Sequence, residues 1–401
     1  MPHPSRSLLK DERALLIVAA LVLLAFEVMF LAQGAAQGLW LIGPGGAPAK
    51  TDFAEFWGAG KLAATGHAAA AYRWADLRAV LEQGAPGGFA HAGFPFFYPP
   101  LLLLLLAPLA AGSIWVFAAA WVGGTFAGFL GFVRTLGRNP AVLALAIASP
   151  AGFLCVAVGQ NGLLTAALLG AGLAQLDRRP ILAGVLLGLL AYKPQFGVLL
   201  PFALAASGRW KSFAAAGVSV IAAAGLSTVV FGAGVWTALF SALTGGGSAG
   251  TPALSTLVPI KLQSVYGLAF TLGAPAGLAW AAQAMSALAA IAFVVQLWRS
   301  KQPLPRQAAG LAAAVLLVSP YSCVYDLTLT TVAILFLLAE GRPTRPVQRL
   351  VLGAAYILPL VFLVQPAPMG PVLCLLILGV VAMQTRRSTE DSPSPVLAAI
   401  A

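Results

Sequence analysis

A small set of residues in this chain has side chains able to move protons or hold charge. Asp52, Glu55 and Asp326 bring carboxylates, Lys193 and Lys261 bring ammonium groups, and Tyr98, Gln160, Asn161, Gln195, Gln263 and Tyr321 bring phenols and amides. A carboxylate within hydrogen-bond reach can take the proton of an attacking hydroxyl. An ammonium in a site of low dielectric can stabilise a departing anion. The phenols and amides suit a ligand rich in polar groups. Each has a structural alternative. Asp52-Phe53-Ala54-Glu55 has the spacing of a helix capping box, so Asp52 reads equally as cap or as base, and Glu55 as the reciprocal cap. Lys193, beside Pro194, either binds an anion, snorkels, or pairs with a carboxylate such as Asp326. Gln160 and Asn161 can simply satisfy the turn of a hairpin.

The elements that must position these groups follow from composition. The chain has 401 residues, 60% hydrophobic and only 9% charged. A soluble domain carries roughly a quarter charged residues, so this chain cannot clothe its surface in water. A soluble enzyme, a nucleic-acid-binding protein and a disordered scaffold are excluded, leaving an all-α polytopic membrane protein. Cys155, Cys323 and Cys374 lie in apolar runs, and His3, His67 and His91 are isolated. With no D-x-D pair, no H-E-x-x-H and no G-K-[ST] after Gly245-Gly246-Gly247-Ser248, neither a metal nor another cofactor is expected.

The net charge of +11 is read by position. Basic residues cluster at Arg6/Lys10/Arg13, Arg134/Arg138, Arg178/Arg179, Arg209/Lys211, Arg299/Lys301/Arg306, Arg342/Arg345/Arg349 and Arg386/Arg387, which is 17 of the 23 Lys and Arg. If all face the cytoplasm, an even number of crossings separates each neighbouring pair. The apolar run Ala14–Ala32 is too long for a signal-peptide core and reads as a retained first span. Residues 140–157 with 162–176, 181–192 with 194–206, 307–319 with 322–339, and 350–365 with 369–385 read as hairpins. Residues 212–232 and 275–298 read as single crossings. Charge favours the hairpin over a single span kinked at Pro194 for residues 181–206. Residues 98–134 read as a re-entrant or tilted run plus one full span. The total is about 12 crossings, within 11–13, in a single integral membrane domain over residues 1–401 with both termini cytoplasmic. Several half-hairpins are too short to cross, so their apices are expected to sink below the outer surface around a wet cavity.

All eleven polar residues then map to the outer half. Residues 34–97 form an outer loop with two interfacial helices. Phe53, Phe56, Trp57 and Gly60 share one face of the first; Trp74, Leu77, Val80 and Leu81 share one face of the second, opposite Asp76, Arg78 and Glu82. Residues 233–273 form a second outer loop, of which 233–264 reads as a flexible lid over the cavity, and residues 386–401 a disordered cytoplasmic tail. Glu27, inside the first span, is placed near its outer end with access to water and given no role.

Thr51-Asp52-Phe53, Phe56-Trp57 and Gly60 are followed by Phe94–Pro100 leading into a leucine-rich span. Gly159-Gln160-Asn161-Gly162, Tyr192-Lys193-Pro194-Gln195, Gln263-Ser264, Ser319-Pro320-Tyr321 and Tyr325-Asp326 come after them in order. Together these stretches resemble bacterial glycosyltransferase family 87 over about residues 10–385. Its members are polyprenol-phosphate-hexose-dependent transferases of the GT-C fold, including mycobacterial α-mannosyltransferases. The resemblance implies a GT-C-like membrane hexosyltransferase of the bacterial cytoplasmic (inner) membrane, with an extracytoplasmic site. Its donor would be a hexose, mannose favoured, on a polyprenyl monophosphate in the bilayer; its acceptor would be an envelope lipid or glycan. Asp52 stands at the position of the catalytic Asp, as base for an inverting displacement. Lys193, with Lys261, would stabilise the leaving phosphate. Trp57, Phe96, Phe97 and Tyr98 would face sugar or prenyl chain, or anchor at the interface. Ser322-Cys323-Val324 departs from the more polar family pattern. The competing readings are a transporter or flippase of lipid-linked sugars and a non-catalytic envelope-assembly subunit. The one-sided clustering of polar groups argues against transport.

Overall fold

Prolines and short polar residues punctuate the helices of this computed structural model, which describes residues 4–83, 89, 95–244, 261–341 and 345–390. Among the described residues there is no strand, only isolated bridges pairing Ile42 with Pro48 and Leu262 with Cys323. The chain begins with α1 (Pro4–Ala36), α2 (Phe53–Ala64), α3 (Trp74–Glu82) and α4 (Leu103–Ala110). A run from α5 (Ile114–Ala118) through a π-helical turn to α6 (Gly124–Thr135) follows. Next come α7 (Pro140–Ile147), α8 (Pro150–Val158), α9 (Gly162–Gln175), α10 (Pro180–Gly188), α11 (Leu200–Ala206), α12 (Trp210–Phe231) and α13 (Gly234–Leu243). The chain closes with α14 (Val265–Thr271), α15 (Ala276–Arg299), α16 (Leu304–Val318), α17 (Thr328–Glu340), α18 (Pro346–Ile357) and α19 (Gly370–Glu390). Asn139 caps α7 and Ser149 caps α8, each just before the proline that opens the helix.

Six helical stretches among the described residues are long and apolar enough to cross a membrane. They are Glu12–Ala36, Ile114–Thr135, Pro140–Val158, Trp210–Phe231, Ala276–Arg299 and Pro346–Leu363. Large apolar side chains on α1, α12 and α15 face outward, among them Leu15, Ile221, Val229 and Leu288, a surface stable only in lipid. About 12 crossings are expected from sequence, with several half-hairpins too short to cross; among the described residues six helices reach full length. Shorter apolar helices accompany the six: α9 has 14 residues and α16 has 15. At 1.5 Å per residue they reach about 21–23 Å, less than a hydrocarbon core of about 30 Å. Residues 98–134 do resolve into a short apolar helix, Pro100–Ala110, and one full-length helical run.

Two ion pairs show how the short helices are arranged. Asp177 Oδ1 lies 2.5 Å from Arg209 Nη1, so the chain before α10 meets the chain after α11. Residues 180–206 are therefore a hairpin, not a kinked span. Arg306 Nη2 lies 2.5 Å from Glu340 Oε1 and closes α16 against the end of α17 in the same way. Arg306 is fully buried and also donates to the Gln384 carbonyl of α19.

Two apolar cores result. The larger joins α6–α11 with α15–α19; the smaller joins α2–α5 with α13. In α2 Phe53, Phe56 and Gly60 of the predicted face are buried and Trp57 is partly buried; Glu55, Ala59 and Ala63 are buried as well, so protein surrounds this helix on most sides. Glu27 departs from expectation. It is only 3% exposed, and its Oε1 has no hydrogen-bond partner among the described residues. Helix α19 continues through Glu390, so the first residues of the expected tail are helical; residues 391–401 lie outside the described residues.

The helix apices pack too closely for side chains at two glycines. Gly159 ends α8 in the left-handed region (φ +69°), against Phe53 of α2. At Gly162, an added Cβ would lie 2.0 Å from the Tyr325 carbonyl oxygen. Gly162→Ala should lower stability by about 1–3 kcal/mol, read by thermal unfolding in detergent. Gly131→Ala, where a Cβ meets nothing within 4 Å, should cost nothing measurable.

Candidate active site

The turn after α8 presents the residue that organises the site. Gly159 reverses the chain, and its carbonyl accepts from the Trp121 indole at 2.9 Å. Gln160 then projects toward α2. Its Nε2 donates to Glu55 Oε1 at 2.9 Å and to Asp52 Oδ2 at 3.3 Å. Its Oε1 accepts from the Tyr98 hydroxyl at 3.2 Å and from the Asn161 amide at 3.1 Å. Both ends of the Gln160 amide are committed, so it holds the two carboxylates in place. The capping box is not formed. Asp52 has helical dihedrals (φ −61°, ψ −18°) and makes no side-chain cap, since a capping side chain needs an extended backbone to reach the helix amides. Both carboxylates turn to Gln160 instead.

The second cluster is built from two hairpin apices. Lys193 sits between the 3₁₀ turns Leu189–Tyr192 and Pro194–Phe196 and is 3% exposed. Its Nζ lies 2.5 Å from Asp326 Oδ1 and 2.9 Å from Asn161 Oδ1. The Tyr325 and Phe196 rings lie 4.9 and 5.1 Å away. Asp326 Oδ2 accepts the Cys323 amide at 2.8 Å and caps the turn Val324–Leu327. The two clusters touch through consecutive residues, since Gln160 holds Asp52 and Asn161 holds Lys193.

A cavity of about 580 Å³ opens at this seam between the two cores. Of the residues singled out in sequence, Asp52, Glu55, Tyr98, Gln160, Lys193, Gln195, Lys261 and Tyr321 line it. Three do not. Asn161 and Asp326 are fully buried behind Lys193. Gln263 pins the turn before α19, its Nε2 donating to Ala367 and its Oε1 accepting from Met369 and Gly370. Phe97 and Tyr98 reach the cavity, whereas Trp57 and Phe96 do not. Phe94 and Gly245–Ser248 lie outside the described residues. Sequence reasoning missed the wall formed by Trp236, Leu239, Phe240 and Leu243 of α13, part of the stretch read as a lid. Their spacing of three, one and three marks one helix face, a signal that was present. Among the described residues no three His, Cys, Asp or Glu converge as a metal ion would need.

Burial raises the Asp52 carboxyl above the usual range, while the Lys261 charge, the Gln160 hydrogen bond and the Lys193 charge pull it back. Glu55 is pushed well above the usual range, first by burial and then by the Asp52 charge. The two carboxyls titrate as a coupled pair, and Glu55 is the one pushed further up.

A membrane protein that is all-helical among the described residues, with a cavity presenting carboxylates and lysines, is the class that fold and cavity define. The sequence pattern of glycosyltransferase family 87 matches residues 96–320, more than half of the chain, and the chain belongs to that family. It is thus a glycosyltransferase. Asp52 and Glu55 precede the matched segment, and Tyr321 and Asp326 follow it. No curated protein and no solved structure matches the chain.

Removing either partner of a buried ion pair strands the other charge. Lys193→Met and Asp326→Asn should each cost about 3–5 kcal/mol. The double variant should lose less than the sum by about 1–3 kcal/mol, read from a double-mutant cycle of thermal unfolding.

Proposed function

We propose that this glycosyltransferase moves a hexose, mannose favoured, from a polyprenyl-phosphate donor to an envelope lipid or glycan acceptor. The reading places the site on the extracytoplasmic side of the bacterial inner membrane, in a GT-C-like fold. The observation that carries it is one cavity presenting a carboxylate, Asp52, and two ammonium groups, Lys193 and Lys261, beside an apolar groove. That groove, about 670 Å³, runs between α4, α9, α10 and α12 and shares Leu101 and Tyr192 with the cavity. A prenyl chain suits the groove, and the shared Leu101 and Tyr192 put it beside the cavity where the attached phosphate would meet the lysines.

In the proposed step, the acceptor oxygen bonds to the anomeric carbon as the bond from that carbon to the phosphate oxygen breaks. The bonding pair leaves with the phosphate, and the acceptor proton goes to Asp52. Inversion follows from a single displacement, so a β-linked donor yields an α-linked product. Lys261 makes no ion pair among the described residues, which fits it to meet the phosphate directly. Lys193 is already balanced by Asp326 and offers its remaining N–H. Gln160 acts as a positioning residue, because its bonds are all to protein.

Transfer from radiolabelled polyprenyl-phosphate mannose or glucose to an envelope-lipid extract, by the purified protein in detergent, tests the reading. Asp52→Asn should reduce transfer by about 10²–10⁴-fold. Equal transfer by both proteins would move the base elsewhere, and no transfer by folded wild type would favour the transporter reading. Glu55→Gln keeps an oxygen acceptor for Gln160 while removing the charge, and should stay within about tenfold of wild type, a change below one general base's share.

The raised Asp52 pKa sets the pH dependence. Only the carboxylate form accepts the proton, and a raised pKa keeps the acid form to higher pH. Transfer should therefore fall on acidification, with its midpoint above the ordinary Asp value of about 3.9. A pH profile of kcat/KM with a midpoint at or below that value would contradict the burial of Asp52 described above.

A further inference from the structure

At the end of the bundle opposite the catalytic cavity, a second cavity of about 370 Å³ opens between helix ends. At about 30 Å³ per water, it has room for a phosphate group with part of its hydration shell. Its walls come from the chain after α9, the turn from α11 to α12, and the connection from α15 to α16. Three cations line it, Arg209, Arg299 and Lys301, against a single acid, Asp177. That acid is already engaged, 2.5 Å from Arg209 Nη1. The Arg209 guanidinium lies 5.9 Å from the Trp298 ring, and its buried Nε has no hydrogen-bond partner among the described residues. A buried donor without an acceptor is costly, and the fork of a guanidinium matches the oxygens of a phosphate.

We propose that this cavity binds a phosphate-bearing anion, and that its occupant is the headgroup of an anionic phospholipid. The neighbours favour lipid over free phosphate. Trp210, directly after Arg209, is 61% exposed and packs its ring on Phe213 at 5.6 Å, the arrangement of an aromatic anchor at headgroup depth. Arg178, Arg179 and Lys211 add exposed positive charge beside the lining residues in sequence. Basic pockets between spanning helices are suited to anionic headgroups. The cavity also lies at the base of the hairpin whose apex carries Lys193, so the bound headgroup braces that hairpin from the opposite end. The inference stands apart from the proposed sugar transfer and from the identity of its donor.

The test uses the purified full chain, delipidated in detergent and titrated separately with phosphatidylglycerol, phosphatidylcholine and inorganic phosphate. Retained adducts are counted by native mass spectrometry, and unfolding temperature is followed in parallel. Wild type should retain phosphatidylglycerol in preference to phosphatidylcholine and unfold at higher temperature with it. Arg299→Gln/Lys301→Gln removes two exposed side chains of the lining and should lower retention by about fivefold for each cation lost. Arg178→Gln/Lys211→Gln, outside the lining, should retain more lipid than that variant. Equal retention of the two lipids, or equal retention of phosphatidylglycerol by wild type and Arg299→Gln/Lys301→Gln, would overturn the proposal. Complete displacement of the lipid by millimolar inorganic phosphate would overturn the lipid assignment. Arg209→Gln is the less informative variant, because it also strips Asp177 of its partner.

Discussion

The ion pair between Lys193 and Asp326 is the contact on which the centre of this protein depends. Two charges are removed from water at the apices of two hairpins, where each alone would be prohibitively unstable. They offset this only by meeting at 2.5 Å with further bonds on both sides. Asn161 takes a second proton of the ammonium, and the Cys323 amide takes the second oxygen of the carboxylate. The pair therefore fixes the depth of both apices and the register of one hairpin against the other. At the far end, Asp177–Arg209 and Arg306–Glu340 close the same two hairpins. Each hairpin is held at apex and base, which is why helices as short as α16 (15 residues) and α17 (13 residues) can be stable without spanning the hydrocarbon.

The cavity lined by Asp52 and Lys193 is a consequence of where the two cores meet. The larger core supplies the cationic side through the hairpin apices. The smaller core supplies Asp52 and Glu55, on a helix packed by Leu77 and Leu81 of α3 and by α4. Gln160 bridges the seam, because it belongs to the first and bonds the carboxylates of the second. Its neighbour Asn161 holds Lys193, so a shift of the smaller core moves base and cation relative to one another through two adjacent residues. This geometry favours a reaction that needs a proton acceptor and an anion stabiliser in one cavity. Transfer of a sugar from a lipid phosphate, proposed for this family member, has those needs.

Much of the architecture was legible in the chain. Composition alone required lipid around the molecule, and the spacing of basic clusters gave the hairpins that the two ion pairs close. Proline after Asn139 and after Ser149 marked helix starts, and eight of the eleven polar residues singled out do line the cavity. Local spacing misled where it had two meanings. Asp52-Phe53-Ala54-Glu55 has the pattern of a capping box, but the pattern says nothing of the backbone angle at Asp52 or of Gln160, 108 residues away. Gln263 looked like an outer polar group with a ligand to bind; the carbonyl and amides it satisfies lie more than 100 residues further on.

What the sequence by itself determined is the solvent and the hairpins that Asp177–Arg209 and Arg306–Glu340 close, because hydropathy and charge are sums over local segments and the bilayer acts on those sums. It also determined the inventory of groups able to do chemistry. Only the tertiary structure decided their division of labour: Asp52, Glu55, Lys193 and Lys261 at the cavity, Gln160 as the bridge, and Asn161, Gln263 and Asp326 as supports behind it. The physical reason is that a polar side chain in a low-dielectric interior is defined by its partner. Partners separated by 32, 108 or 133 residues are chosen by packing, which no local pattern encodes.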